Sequence, residues 1–190
     1  LHKEYRRQRQ MCIRDRDTNS AALCTSGSAV SYSNLTEATH TFVAYQVDQA
    51  GNQSQNYSHS WTTDFTAPTQ PSGVALASAS NSGNSSDGVT NDDTPSIVVS
   101  GAESGGTVTV TATKSGQSNV TCTATASSST GSCQLSALVD GTWTVSANVT
   151  DASGNTSSNA SFTLAIDTVA PSAPTITSNT PRSNSTSHLS

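Results

Sequence analysis

The sequence repeats itself with a period of 103 residues, and the repeat runs without gaps over more than thirty positions. Leu35 matches Leu138 in this register, and Asp48 matches Asp151. The other identical pairs include Thr39/Thr142, Thr41/Thr144, Ala44/Ala147, Gly51/Gly154, Asn52/Asn155, Asp64/Asp167, Ala67/Ala170, Pro68/Pro171 and Pro71/Pro174. Such a period is long for a solenoid and has the size of a β-sandwich domain. The chain is therefore predicted to contain parts of a tandem array of all-β modules.

Apolar and polar side chains alternate along several segments of each repeat. Trp143, Val145, Ala147 and Val149 are separated by Thr, Ser and Asn residues, which is the pattern of a strand with one buried face. Hydrophobic residues make up only 32% of the chain, and Ser plus Thr make up about a third. That composition alone is also typical of disorder, but the alternation favours folded domains with thin cores.

Seven short strands, separated by clusters of Gly, Asn, Asp and Ser, are predicted in the complete module. They lie near residues 73–79, 95–100, 107–113, 118–126, 132–138, 142–150 and 157–166. The segment Asp151–Asn155 is predicted to form the tight turn between the last two strands, because Gly154 supplies the positive φ that such a turn demands. Seven strands of this length fit a β-sandwich.

Two Ala-Pro pairs mark where one unit ends and the next begins. Proline cannot donate to a strand ladder and fixes φ in the connecting segment, and the pairs begin at Ala67 and Ala170. On this basis residues 17–66 are the C-terminal half of one module, residues 67–169 a complete module, and residues 170–190 the first strand of a third.

The first sixteen residues differ from the others in charge and have no place in the repeat. They hold six of the eight Lys and Arg residues, and Met11–Asp15 resembles the translation of an adapter used for sequencing libraries. Residues 1–16 are therefore predicted to be a non-native leader and are left out of the fold prediction. The alternative is a basic arm that binds nucleic acid or directs targeting. The segment lacks the apolar core of a signal peptide.

The remainder of the chain is acidic. From Asp17 onward there are two basic residues and eleven acidic ones, a surface that repels nucleic acid phosphates and anionic membranes and suits divalent cations. No run of about twenty apolar residues occurs, so no segment is predicted to insert into a membrane.

Four motifs of the chain are together similar to one protein family. They are Thr90–Pro95, Asp140–Trp143, Asp151–Asn155 and Ile166–Pro171. In this order they resemble the bacterial immunoglobulin-like (Ig-like) domains that occur in tandem in large secreted adhesins of the RTX-type and biofilm-associated kinds. The resemblance covers essentially all of the chain after residue 16.

The resemblance implies a fold and a role. The fold would be a tandem of Ig-like β-sandwich modules of about seven strands, located outside the cell or on its surface. The role would be that of a structural or adhesive spacer, often with Ca²⁺ bound at the joints between modules. The partners would be the neighbouring modules of the same chain, and other domains would contact a host or surface receptor of unknown identity.

Two cysteines of the complete module are close enough in sequence to form a disulfide. Cys122 and Cys133 lie on consecutive predicted strands joined by a short Ser/Thr/Gly-rich loop, so a cross-strand bond is predicted, with two free buried thiols as the alternative. Such a bond favours an oxidising, extracellular compartment. Cys24 is interpreted as having lost its partner with the missing half of its module.

Calcium is the one ligand that the acidic loops predict, because hard cations need several carboxylate, amide and carbonyl oxygens. In an Ig-like topology these loops gather at the module ends. The candidates at the later joint are Asp87, Asp92, Asp93 and Asp140 around the linker residue Asp167. The candidates at the earlier joint are Glu103 and Asp151 around Asp64. The alternative is that Asp and Asn residues cap turns in these loops.

No motif for catalysis is found in the sequence. The four His residues share no motif with an acid or a nucleophile, and His40 aligns with Trp143, so it is predicted to lie at the edge of the core. The chain is therefore predicted not to be an enzyme. The alternative function is an accessory module of a secreted hydrolase, such as a carbohydrate-binding module, but the alternation places Trp143 inside rather than on a sugar-binding surface. Homophilic contacts through exposed strand edges are a third hypothesis.

Overall fold

The computed structural model describes residues 31–48, 50–84 and 87–175, together with the backbone of two strands at 11–16 and 22–24. The described chain is all-β. Its strands are β1 (Met11–Arg16), β2 (Ala22–Cys24), β3 (Ala38–Val47), β4 (Tyr57–Thr63), β5 (Gly73–Leu76), β6 (Val89–Thr90), β7 (Ser96–Ser100), β8 (Thr107–Thr113), β9 (Val120–Thr125), β10 (Thr130–Gln134), β11 (Gly141–Thr150) and β12 (Ala160–Ile166).

The complete module is a sandwich of two sheets. One sheet has the strand order β10-β7-β5 and the other has the order β6-β12-β11-β8-β9. All seven predicted strands are present, and β8 has the predicted bounds. The prediction missed β6, a pair of residues that joins β12 in parallel. It also made β5 and the last strand too long: β5 ends at Leu76, and β12 begins only at Ala160.

The core lies between the two sheets and is built from the alternating apolar positions. Trp143 is only 2% exposed, and Val145, Ala147 and Val149 are buried beside it on β11. The opposite sheet contributes Ile97 and Val99 from β7. Burial of an aliphatic side chain of this size stabilises the fold by about 1.5–3 kcal/mol. A core of short side chains can therefore stabilise the module, because most of these side chains are completely buried.

The 103-residue period of the sequence is also a period of the structure. Both bounds of β3 and β4 shift by this number to give the bounds of β11 and β12. The pairing register agrees, since Ala38 opposite Thr63 corresponds to Gly141 opposite Ile166. The first module therefore contains the same central hairpin as the complete one.

Residues of the basic leader, 1–16, form one strand of the first module's sheet. β1 pairs antiparallel with β3 and with β2, in the position that β8 occupies between β11 and β9. Met11–Arg16 therefore form part of a sheet although the fold prediction left them out, because the exposed backbone edge of β3 is available to any strand that can pair with it. Their non-native origin stays a prediction. Residues 1–10 lie outside the described chain, as do 176–190 of the predicted third module.

The disulfide Cys122–Cys133 is present, with the two Cα atoms 5.9 Å apart. It joins two consecutive strands, as predicted, and these strands belong to different sheets. Cys122 lies on β9 at the edge of the larger sheet, whereas Cys133 lies on β10 at the edge of the smaller sheet. The bond therefore joins the two sheets and closes one side of the sandwich. The register of β1 and β2 also places the backbone of Cys24 opposite that of Cys12. The side chains of both residues lie outside the described part of the chain, so the interpretation that Cys24 lost its partner stays a prediction.

Candidate inter-module joint

The turn after β11 is organised by one carboxylate. The Asp151 Oδ1 atom accepts hydrogen bonds from the backbone N–H groups of Ser153 and Asn155, at 2.8 and 2.9 Å. The Asp151 backbone N–H donates to the Asn155 carbonyl at 3.0 Å, and Gly154 has a φ of 94°. A residue with a Cβ atom rarely adopts this φ. The predicted turn between the last two strands is thus confirmed.

The same turn closes the hairpin of the first module. The Asp48 Oδ1 atom accepts from the N–H groups of Ala50 and Asn52 at 2.9 and 2.8 Å, and Gly51 has a φ of 89°. In each turn the Asn side chain donates through Nδ2 to the second oxygen of the Asp carboxylate, at 2.9 Å in both modules. The aspartate therefore holds the asparagine amide in a fixed position.

The asparagine of the second turn reaches across to the first module. Asn155 Nδ2 also donates to the backbone carbonyl of Asp64, 3.0 Å away, in the segment that leaves β4. A second contact lies nearby, where Gln70 Nε2 donates to the Asn159 carbonyl at 2.7 Å. Asn155 thus ties the exit segment of the first module to the second module, and Gln70 ties the start of the second module to the residue before its last strand. These two contacts define the joint.

The linker is also tied to the module that it leaves. The Asp64 Oδ1 atom accepts from the Thr66 N–H at 3.0 Å, and the Thr66 hydroxyl donates to the Glu37 carboxylate at 2.9 Å. In the next linker, Asp167 Oδ1 accepts from the Val169 N–H at 3.1 Å.

The second linker has an equivalent carboxylate anchor. The Thr168 hydroxyl and N–H both donate to Asp140 Oδ1, at 2.8 and 3.2 Å. Asp140 occupies the position of Glu37 in the repeat. Each module therefore fixes its own exit segment through the acidic residue that precedes its long central strand.

The predicted calcium ligands reach the module ends, but their carboxylates do not converge there. Asp87 and Asp92 accept from the N–H groups of Val89 and Thr94, both at 3.0 Å. The loop that carries them meets the later linker through the backbone, since the Asp167 N–H donates to the Thr90 carbonyl at 2.9 Å.

The remaining candidates contribute backbone atoms to the fold. Asp93 accepts from the Leu138 N–H through its carbonyl at 2.7 Å, and Glu103 accepts in the same way from Gly106 at 3.0 Å. Across the described ranges, no three acidic, His or Cys side chains form a group that could hold a metal ion. Asp151 is brought to the Asp64 linker only through Asn155. Five of the candidates cap turns through their carboxylates, namely Asp64, Asp87, Asp92, Asp151 and Asp167. The described residues do not fit a preformed calcium cage.

Hydrogen bonding keeps the turn carboxylates ionised. The Asn155 amide lowers the pKa of Asp151 below the ordinary aspartate value, with further help from the turn N–H groups. The Asn52 amide lowers the pKa of Asp48 for the same reason. The pKa of Asp92 is lowered mainly by the Ser80 hydroxyl. Bonds donated to the charged form favour that form, so the three caps are anionic at neutral pH.

Sequence analysis placed Asn155 in a turn motif but did not assign it to the joint, and it did not single out Gln70. The identity of Asn155 with Asn52 was visible in the repeat, but many surface Asn residues occur in a chain of this composition. Gln70 has no match in the repeat, because Ala173 lies at the corresponding position. Only the fold shows that the Asn155 amide faces the neighbouring module and that the Gln70 amide binds the Asn159 carbonyl within its own module.

Four rings of the first module line an open cleft: Tyr32, Phe42, His59 and Trp61. Tyr32 stacks on Trp61 with ring centroids 6.2 Å apart. Three of these rings occupy positions that are Val145, Phe162 and Leu164 in the complete module, where they belong to the core or pack against it. The cleft is therefore the core-facing side of the first module's sheet.

In the part of the chain that the structure describes, there is no helix with the length and apolar character needed to cross a membrane.

Residues 67–168 match the model of a family described as bacterial Ig-like domain. The chain is similar to a solved tetra-tandem repeat from the extending region of a large adhesion protein, with 23% identity over 85% of this chain and 42% of that one, at a TM-score of 0.39. It is also similar to the BSP domain of a biofilm-associated protein, with 19% identity, 85% and 25% coverage, and a TM-score of 0.31. It thus spans less than half the length of either structure. Comparison with curated proteins gave no match.

Proposed function

The chain belongs to the bacterial Ig-like domain family, and from this premise we propose that it is a structural spacer of a large bacterial surface adhesin. The observation that carries the proposal is the hydrogen bond from Asn155 of one module to the Asp64 carbonyl in the exit segment of the module before it. A spacer must hold successive modules in line, and this bond ties one module to the next.

The topology of the complete module supports a head-to-tail array. The turn that contacts the preceding linker follows Thr150, the last residue of β11. The exit segment follows Ile166, which pairs with Gly141 at the first residue of β11. The two joints are therefore separated by the length of a strand of 10 residues, which is roughly 30 Å at about 3.3 Å per residue. Each module would advance the array by at least this distance.

The outer face of the larger sheet supports the spacer proposal, because its residues are typical of a hydrated surface and not of a binding surface. The outward positions of β8 are Thr107, Thr109, Thr111 and Thr113, and those of β9 are Thr121, Thr123 and Thr125. Neither strand places a charged or aromatic side chain on this face. Ser and Thr are rare in the energetic centres of protein interfaces, which are rich in Trp, Tyr and Arg. We therefore assign no enzymatic role to the module.

An extracellular or cell-surface location follows from the same proposal. The Cys122–Cys133 disulfide supports it, since such bonds persist in oxidising compartments. The partners along the chain are its neighbouring modules, and contact with a receptor is assigned to other domains of the protein.

The alternative is an accessory module of a secreted hydrolase. The observation in its favour is the aromatic cleft at Tyr32 and Trp61, because aromatic rings pack well on sugar rings. The repeat argues against it, since the corresponding positions of the complete module are covered by the second sheet.

Two measurements test the choice between these functions. Small-angle X-ray scattering of the 190-residue chain should give an elongated particle with the two modules end to end. Electrophoresis through gels that contain soluble polysaccharides should show no retardation. A compact, side-by-side particle would contradict the spacer, and retardation that is lost in a Trp61→Ala variant would favour the accessory module.

Calcium at the joints is a separate proposal, and its support is the acidic character of the loops in the sequence. The residues that would contribute oxygens are Asp64, Asp87, Asp92, Asp93, Glu103, Asp140, Asp151 and Asp167. Because their carboxylates are dispersed among separate turns, binding would require the loops to rearrange.

A further inference from the structure

We infer that the Asp167–Pro171 linker is a docking segment for the Asp-x-x-Gly-Asn turn of a following module of this type, through a hydrogen bond from the turn's Asn amide to the Asp167 carbonyl. This inference rests on the proposed function, because it assumes that the array continues. The partner is defined chemically as a turn in which an Asp carboxylate holds an Asn amide towards the linker.

The chain contains one completed example of this contact. Asn155 Nδ2 bonds simultaneously to the Asp151 carboxylate at 2.9 Å and to the Asp64 carbonyl at 3.0 Å. One nitrogen with two protons serves both acceptors. The first bond lies within a module and orients the amide, and the second connects two modules.

The same linker conformation is present at the second exit. Asp64 and Asp167 each accept a hydrogen bond from the N–H group two residues later, at 3.0 and 3.1 Å. Each linker is anchored through a Thr hydroxyl to the acidic residue before the central strand, at 2.9 Å for Glu37 and 2.8 Å for Asp140. The Asp167 carbonyl is therefore held by the same Asp-to-N–H contact as its counterpart, although the anchoring Thr168 lies one position earlier in the repeat than Thr66.

The Asp-x-x-Gly-Asn turn has the same structure in both modules, although a linker lies against only one of the two turns. In the first module, Asn52 Nδ2 has the Asp48 carboxylate as its one hydrogen-bond partner among the described residues, at 2.9 Å. The turn around it keeps the hydrogen bonds and the positive φ of its counterpart. The asparagine is thus in place before docking, which reduces the conformational entropy lost when a linker binds.

The second contact of the completed joint is not general. Gln70 donates to the Asn159 carbonyl at 2.7 Å, but Ala173 stands at the matching position of the next linker and has no amide to donate. The Asn amide and the Asp carbonyl are therefore the part of the joint that the repeat preserves. Docking at the second linker would depend on them more strongly than at the first.

The test uses the 190-residue chain lengthened in frame, with residues 67–169 inserted a second time after Val169. Ala67 of the copy takes the position of Ala170, and Gln70→Ala in the copy reproduces Ala173 of the natural linker. Residual dipolar couplings measured by NMR in a weakly aligning medium report whether the complete module and its added copy share one orientation. We expect one common alignment tensor for the two.

Two matched substitutions isolate the hydrogen bond. Asn155→Ser in the added copy removes both bonds of the amide and should lower the ratio of docked to undocked joints about fivefold, the loss expected for one net hydrogen bond. Asn52→Ser in the first module removes only the bond within the turn, so the shared tensor should not change. Amide spectra of both variants establish that the modules remain folded.

The results separate this inference from the proposed function. Independent tensors in the unsubstituted chain, with an elongated particle in small-angle scattering, would overturn the docking and leave the spacer intact. A shared tensor that survives Asn155→Ser would also overturn it. A compact particle would contradict the spacer itself.

Discussion

His40 and Trp143, 103 residues apart, make the same hydrogen bond. Trp143 Nε1 donates to the Val139 carbonyl at 2.9 Å, and His40 Nε2 lies 2.9 Å from the Thr36 carbonyl, which is also four residues earlier. Both rings are almost completely buried, at 2% and 3% exposure. The predicted core-edge position of His40 is confirmed. The repeat has therefore kept a ring with an N–H donor here, although the residue type has changed.

The Trp143 ring is expected to stabilise the complete module in two separable ways. Trp143→Phe keeps most of the packing but loses the hydrogen bond to the Val139 carbonyl, which should cost about 0.5–1.5 kcal/mol because Val139 is exposed and water can replace the donor. Trp143→Ala should cost about 3–5 kcal/mol because it also opens a cavity. Urea unfolding followed by circular dichroism measures both free energies. An equal loss of unfolding free energy in the two variants would contradict separate contributions from the hydrogen bond and from the packing.

Removal of the disulfide should destabilise the sandwich. The double variant Cys122→Ser/Cys133→Ser is expected to lose about 3 kcal/mol, because the bond restricts a short loop in the unfolded chain. Reductant should lower the stability of the unsubstituted chain by the same amount and leave the variant unchanged. Mass spectrometry after alkylation without reduction checks the bond directly, and two alkylated thiols at these positions would contradict it.

The narrow gap beside the disulfide can be tested at a glycine. A Cβ atom at Gly131 would lie 2.6 Å from Val108 Cγ2 on the opposite sheet. Gly131→Ala is therefore expected to cost about 1–3 kcal/mol through overpacking. Gly73→Ala is the control, since Gly73 lies in a strand and a methyl group added there would have no atom within 4 Å. Thermal unfolding should separate the two variants clearly.

Acid should weaken the turn at Asp151. Its pKa is lowered in the folded chain mainly by the Asn155 amide, so its contribution to stability is present above the ordinary aspartate pKa and is lost as the pH falls through the lower folded value. In Asn155→Ala, an NMR pH titration should show the pKa of Asp151 rising towards the ordinary value. The pKa of Asp48 should stay where it is, and a joint rise would contradict this assignment.

Calcium is expected to stiffen the array if the joints bind it. Scattering from a chain of three modules should then show a larger maximum dimension with calcium than with a chelator, because a ligand that binds only one arrangement stabilises it. An unchanged dimension under both conditions would contradict calcium binding at the joints.

The sequence was sufficient for seven of the eight strands of the complete module and for the fold. Alternation along β8 and β11 is unambiguous, because one face of each strand is buried and the other is not. Val89–Thr90 escaped prediction, since two residues have no periodicity and pair with β12 only through the tertiary fold. The position of the Cys122–Cys133 bond between the two sheets could not be predicted either, because strands that are adjacent in sequence need not belong to the same sheet.

The joint was harder to predict than the fold. The acidic loops were expected to gather oxygens around a cation, but local N–H groups satisfy carboxylates such as those of Asp87 and Asp92. A short Asx turn forms within a few residues and needs no neighbour. Asn155 was overlooked because its function depends on a carbonyl 91 residues away, a separation that no local pattern reports.

The inter-sheet disulfide also determines how far a module can lengthen under tension. A pulling force enters the complete module at its first linker and leaves at its second, whereas Cys122 and Cys133 lie between these points and are separated by 11 residues. If the module unfolds, the disulfide keeps this loop closed. Roughly 40 Å of contour length, at about 3.5 Å per residue, then cannot extend. The rest of the module remains free to extend, so the array can absorb a sudden load by unfolding while its covalent path stays intact.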